Sequence, residues 1–145
     1  MNNILAITLG GFLPAIFWGI TAVLQKQSAV GGVRPATYLA LFGLTIFTIG
    51  VIGMIGQQSK FFPSRSGIVY AIAAGTLYAL GTGLLSFVLY RWQFEISKLA
   101  PILATNVLVT VGIGLLMGES ANSNPVTLLI GTGFILVGVV FVLQS

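Results

Sequence analysis

The sequence predicts an all-α integral membrane protein, a bundle of five transmembrane helices, and three observations carry that prediction. Only eight of 145 residues are charged, six Lys or Arg and two Glu, and that 6% compares with about 25% in an ordinary soluble domain. Hydrophobic residues make up 57% of the chain and its mean hydropathy is +1.07. The charges, at Lys26, Arg34, Lys60, Arg65, Arg91, Glu95, Lys98 and Glu119, leave charge-free runs at 1–25, 35–59, 66–90, 99–118 and 120–145. The shortest run is 20 residues, and a bilayer core takes about 20 helical residues to cross. Such a chain cannot cover itself with a hydrated surface. Soluble enzyme, DNA-binding and secreted classes are excluded.

The whole of 1–145 reads as one transmembrane domain, with spans at 4–24, 36–55, 67–90, 99–117 and 126–143. The first is too long for the apolar core of a signal peptide and lacks a basic start, so it is expected to stay in the membrane. Pro14 and Trp18 lie inside it, away from the ends where such residues are routine. Arg34-Pro35 opens the second span and Asn124-Pro125 the fifth, with proline at a first turn where its missing N–H costs little. Ser66 and Asn124 are the expected N-caps of the third and fifth. Pro101 is expected in the first turn of the fourth. The loops, 25–35, 56–66, 91–98 and 118–125, are too short to hold a soluble domain.

Cations set orientation and meet headgroups at span ends. Lys26, Arg34, Arg91 and Lys98 fall on the side of the C-terminus, Lys60 and Arg65 on the other. Four against two favours a cytoplasmic C-terminus weakly and leaves dual insertion open. In this setting the net charge of +4 does not imply a nucleic-acid partner; the lipid bilayer is the first partner. With no Cys and no His, thiolate and imidazole metal sites, disulfides and a Ser-His or Cys-His nucleophile are excluded. Neither an enzyme nor a cofactor is expected.

Inside the spans, 19 glycines and their small companions recur at four-residue spacing. Gly11 and Gly19, Gly75 and Gly83, and Gly114 and Gly118 are the expected helix-packing positions, because small residues let backbones approach closely in lipid. Polar residues at membrane depth are the sharper signal. Tyr78, Thr82 and Ser86 share a face of the third span with Gly75; Pro14, Trp18, Thr21 and Gln25 share one of the first. Thr105, Asn106 and Thr110 lie in the fourth, Thr45 and Thr48 in the second. These stripes either line a water-accessible cavity or hydrogen-bond between helices, and Thr and Ser can also bond back to their own helix. Tyr90 and Trp92, at a span end, read as interfacial belt aromatics. No carboxylate lies within any span, so proton coupling through an intramembrane Asp or Glu is not available.

The run Leu13-Pro14-Ala15-Ile16-Phe17-Trp18-Gly19-Ile20-Thr21-Ala22-Val23-Leu24-Gln25-Lys26 resembles the Trp-Gly first helix of EamA-type members of the drug/metabolite transporter superfamily. Leu99-Ala100-Pro101-Ile102, Gly118-Glu119 and Gly138-Val139-Val140-Phe141 resemble that family's C-terminal half. The resemblance implies one five-helix repeat of an inverted-repeat transporter, which pairs as an antiparallel homodimer or with a similar partner to recover a midplane binding site. The first helix is also similar to that of the four-span small multidrug resistance proteins, through Leu9-Gly10-Gly11 and Lys26-Gln27-Ser28. There Trp18 stands where those pumps carry an embedded glutamate, so their proton-coupled export does not carry over.

The expectation is a half-size transporter of a small metabolite, in a bacterial or archaeal inner membrane, working as a dimer by alternating access. Trp18, Thr21, Tyr78, Thr82 and Asn106 are the expected substrate-binding residues, and they suit a neutral, zwitterionic or amine-bearing solute. The alternatives are a membrane scaffold or accessory subunit whose polar residues only join helices, and a lipid-linked sugar flippase subunit.

Overall fold

The computed structural model describes residues 3–57, 64–118 and 124–144, which leaves Lys60 and Glu119 outside the described residues. Those residues are helical with no strand among them, and the chain is an all-α integral, multi-pass membrane protein. They fall into two compact units divided between Phe94 and Glu95.

In the first unit, α1 (Asn3–Ile7) runs through a π-turn (Thr8–Phe12) into α2 (Leu13–Val30), followed by α3 (Pro35–Gln57) and α4 (Arg65–Trp92). The π-turn, in which the Leu13 N–H reaches the Thr8 carbonyl, directly precedes Pro14. Proline has no N–H to give and its ring crowds the carbonyl four residues back, so the wider turn accommodates it without ending the helix. The first helix does not stop at Leu24 as expected: Gln25 and Lys26 are helical, and the chain turns only at Gly31-Gly32. Gly32 supplies the positive φ of 83° that closes the end, while the Gly31 N–H bonds the Gln27 carbonyl at 2.9 Å. A single charge does not terminate a helix. Ser66 is likewise not the cap of the next long helix; Ser64 is, its hydroxyl accepting from the Gly67 N–H at 3.1 Å.

In the second unit the expected single span 99–117 is two helices, α5 (Ile96–Leu103) and α6 (Asn106–Leu116), followed by α7 (Pro125–Leu143). Because α5 starts at Ile96, Pro101 lies inside it rather than in its first turn. At the break the Thr105 hydroxyl takes the Ile102 carbonyl at 2.7 Å, and the Thr105 N–H bonds the same carbonyl at 3.0 Å. Pro101 leaves the Ser97 carbonyl without its usual ladder donor, and at the break the Thr105 hydroxyl competes for the Ile102 carbonyl. The second unit packs α7 against both α5 and α6, and the Asn124 cap holds, its Oδ1 accepting from the Val126 N–H at 3.0 Å.

Four stretches are long and apolar enough to cross a bilayer: Thr8–Val30, Pro35–Gly56, Arg65–Trp92 and Ile96–Leu116. The expected fifth is a helix whose apolar part, Val126–Val142, measures about 26 Å at 1.5 Å per residue, slightly under the hydrocarbon thickness. Most large apolar side chains are exposed on the chain, Phe47, Ile52, Leu77 and Phe134 among them, and in a bilayer they meet lipid.

Candidate functional site

Two faces of α4 organise the first unit. On one, α2 docks through its C-terminal half. Leu89 is fully buried and Ala29 is buried in this unit, and one turn earlier on each helix lies a polar contact: Gln25 and Ser86 are each 4% exposed. The Gln25 Nε2 group donates to the Ser86 hydroxyl at 2.7 Å and to the Thr82 carbonyl at 3.2 Å. At the C-terminal end of α4, the ammonium of the next residue, Lys26, donates to Gln93 Oε1 at 3.2 Å. Gln93 ends α4 at φ 51°, a left-handed conformation that non-glycine residues seldom take. Its amide also caps the helix by donating to the Tyr90 carbonyl at 3.2 Å.

On the other face α3 packs so closely that a Cβ at Gly83 would sit 3.0 Å from Leu39 Cδ1. Beside that contact the helices leave a cleft of about 430 Å³. Its walls are aromatic and small: Phe42 with Tyr78 on two sides, Gly43, Ala74, Gly75 and Ala79 between. Phe42 stacks on Tyr78 with ring centroids 6.3 Å apart and 20° between planes. Tyr38 stacks on Phe42 at 5.6 Å and 14°. Three rings therefore stack in series across two helices, Phe42 and Tyr78 lining the cleft and Tyr38 behind Phe42, an arrangement worth about 0.5–1.5 kcal/mol per pair beyond area burial.

The cleft's polar side chains are Tyr78 and Thr82, and the state of Thr82 is informative. Thr21, Thr45, Thr48 and Thr76 each return their hydroxyl to the carbonyl four residues back, at 2.8 to 2.9 Å. The Thr82 hydroxyl makes no such bond. Its carbonyl is taken by Gln25, and its hydroxyl and that of Tyr78 find no partner among the described residues, which leaves both available to a solute.

The structure thus brings Tyr78 and Thr82 together, as their spacing implies. Trp18 lies on α2, is 66% exposed and does not line the cleft. Thr21 gives its hydroxyl to Phe17. Asn106 opens α6 in the second unit, exposed, its carbonyl accepting from Thr110 Oγ1 at 3.2 Å. Among the glycines, Gly83 makes a close contact, Gly75 lines the cleft, and a Cβ at Gly11 or Gly19 would meet nothing within 4 Å. Gly114 is half-buried in α6. Gly118 is no packing position: with φ 81° it follows the end of α6, where glycine is needed to leave the helix. Tyr38 and Phe42 escaped sequence reasoning altogether. Their i, i+4 spacing beside Pro35 was the available signal.

Compared with known proteins, the chain is 29% identical over 113 residues to the fluoride-specific ion channel FluC of Shewanella halifaxensis (strain HAW-EB4), a match covering 78% of this chain and 87% of that protein. No family model matches the chain, and no solved structure matches it. The relative is a channel rather than an enzyme, and together with the apolar helices it fits a membrane transporter or channel.

Proposed function

We propose that this chain is a small-solute transporter unit that works with a second such unit by alternating access in a bacterial or archaeal inner membrane. One observation carries the reading. The α3–α4 cleft, at membrane depth, combines two stacked rings, Phe42 and Tyr78, with two uncommitted hydroxyls and no charge. Such a site suits a small neutral, zwitterionic or amine-bearing solute, held by ring faces and, for an ammonium group, by cation–π attraction of about 0.5–2 kcal/mol. The resemblance of residues 13–26 to EamA-type transporters supports the same class and the pairing. The test is flux: purified protein in liposomes is expected to move at least one amine, amino acid or nucleoside faster than empty vesicles, and Tyr78→Ala to slow it. Equal rates across the panel sink the proposal.

A second reading is fluoride conduction, favoured by the relative named above. Fluoride efflux from the same liposomes, followed with a fluoride electrode, decides between them. A scaffold role is left if neither solute nor fluoride moves.

A further inference from the structure

This inference rests on the reading of the α3–α4 cleft as the solute site, and concerns what holds that site in shape. We propose that Gln25 is a positioning residue for the cleft: its amide ties α2 to the Thr82–Ser86 turn of α4 and so sets how the Thr82 hydroxyl is presented to a solute.

In a chain that exposes most of its large apolar side chains, the 4% exposed Gln25 amide on the α2 face is an exception. Both hydrogens of its Nε2 are used, one on the Ser86 hydroxyl at 2.7 Å and one on the Thr82 carbonyl at 3.2 Å. Trp18 lies seven residues, two helical turns, before Gln25 and therefore on the same face. Yet Trp18 is 66% exposed while Gln25 and Ala29 are buried. Docking of α2 on α4 thus fades toward Trp18, and Gln25 marks the inner polar end of the contact.

Thr82 is where the two sides of α4 meet. Its carbonyl is held by α2 through Gln25, and its side chain lines the cleft against α3. Within the helices of this unit, Thr8, Thr21, Thr45, Thr48 and Thr76 give their hydroxyls to the carbonyl four residues back, while Thr37, in the first turn of α3, has no such bond. Nor does Thr82. Movement of α2 therefore reaches the Thr82 turn of the cleft through the Gln25 amide, a link with no charged group in it. The neighbouring Lys26–Gln93 hydrogen bond keeps α2 docked when Gln25 is altered, so the variants are expected to fold.

The test needs no identified solute, because the chain has no native cysteine. Thr82→Cys and, as a control on the same helix outside the cleft, Thr76→Cys are labelled with a maleimide in liposomes, each with and without Gln25→Met. Loss of two interhelical hydrogen bonds predicts a change of about eightfold in the labelling rate at 82, with the rate at 76 constant within about twofold. In the Thr82→Cys background, Gln25→Glu is expected to behave like Gln25→Met at high pH. As pH falls it is expected to move part of the way back to the parent rate at the same pH, because the neutral carboxyl has one proton to donate where the amide has two. An unchanged rate at 82, equal changes at 82 and 76, or pH-independent behaviour of Gln25→Glu overturns the proposal. These outcomes are separate from the flux result. If no solute moves, the solute reading fails while labelling still decides whether Gln25 controls exposure of position 82.

Discussion

Two glycines on α4 allow the α3 contact to be isolated. At Gly83 a new Cβ meets Leu39 Cδ1 at 3.0 Å and Leu39 Cγ at 3.9 Å; at Gly75 it meets nothing within 4 Å. Replacing either by alanine brings the same gain in helix propensity, about 1 kcal/mol, which cancels when the two variants are compared. What remains is the Leu39 contact. The obstructing atom is the end of a flexible side chain and can yield by a few tenths of an ångström. Gly83→Ala is therefore expected to be less stable than Gly75→Ala by about 1 kcal/mol, the low end of the cost of overpacking. With valine the added branch cannot be accommodated by the same small shift, and the difference is expected to widen to about 2–3 kcal/mol. The measurement is equilibrium unfolding in mixed micelles, followed by emission of the two tryptophans, of which Trp92 lies edge-on to Phe87 at the end of α4. Leu39→Ala in the same backgrounds should abolish the difference. Equal stabilities at 75 and 83, or a difference that survives Leu39→Ala, refutes the packing argument. Because Gly75 lines the cleft, Gly75→Ala is expected to gain stability and lose transport together.

Thr82→Val removes an uncommitted hydroxyl and is expected to raise KM about fivefold, one hydrogen bond's worth, with Thr76→Val near neutral; liposome flux measures both. Ser64→Ala removes the α4 cap and should cost about 1 kcal/mol, read as a lower Tm, because the Gly67 N–H loses its acceptor. Pro101→Ala combined with Thr105→Val restores a donor inside α5 and removes the hydroxyl that competes for the Ile102 carbonyl. Greater hydrogen-exchange protection of amides 104–106 is the expected result.

The membrane class was legible because the cost of burying charge is large and one-dimensional: eight charges suffice to bracket the apolar runs. Helix ends were legible only where a residue acts on its own backbone, as Asn124 does on the Val126 N–H. At Gln25-Lys26 the boundary was drawn at a charge, and the helix continued, because Lys26 can hydrogen-bond to Gln93 while α2 runs on to the glycines that end it. The same reliance on charge placed the fourth span's start after Lys98. The true start at Ile96 turns Pro101 from a tolerated first-turn residue into an interior one, and the break at Thr105 lies a turn beyond it. That Tyr78 and Thr82 face the same cleft was legible from their four-residue spacing on one helix. Phe42 and Tyr38 were not, because pairing them with Tyr78 depends on the register of α3 against α4, which no single-helix period encodes.

The two transport readings draw on the same small stock of polar groups. Gln25 spends both Nε2 hydrogens on α4, and Lys26 is engaged with Gln93. The hydroxyls of Thr21, Thr45, Thr48 and Thr76 are bonded to their own helices. The amide hydrogens of Gln25 and the hydroxyl hydrogens of these threonines cannot be donated to a passing solute or anion without first giving up a bond, and at membrane depth no water waits to replace it. In the cleft, by contrast, Tyr78 and Thr82 can offer hydroxyls at no such cost. A neutral solute would use them as donors and acceptors, an anion as donors alone. The choice between the readings therefore does not turn on which residues line the cleft but on which direction its hydroxyls point. Removing both, in Tyr78→Phe with Thr82→Val, is the change under which either flux through the cleft must fall.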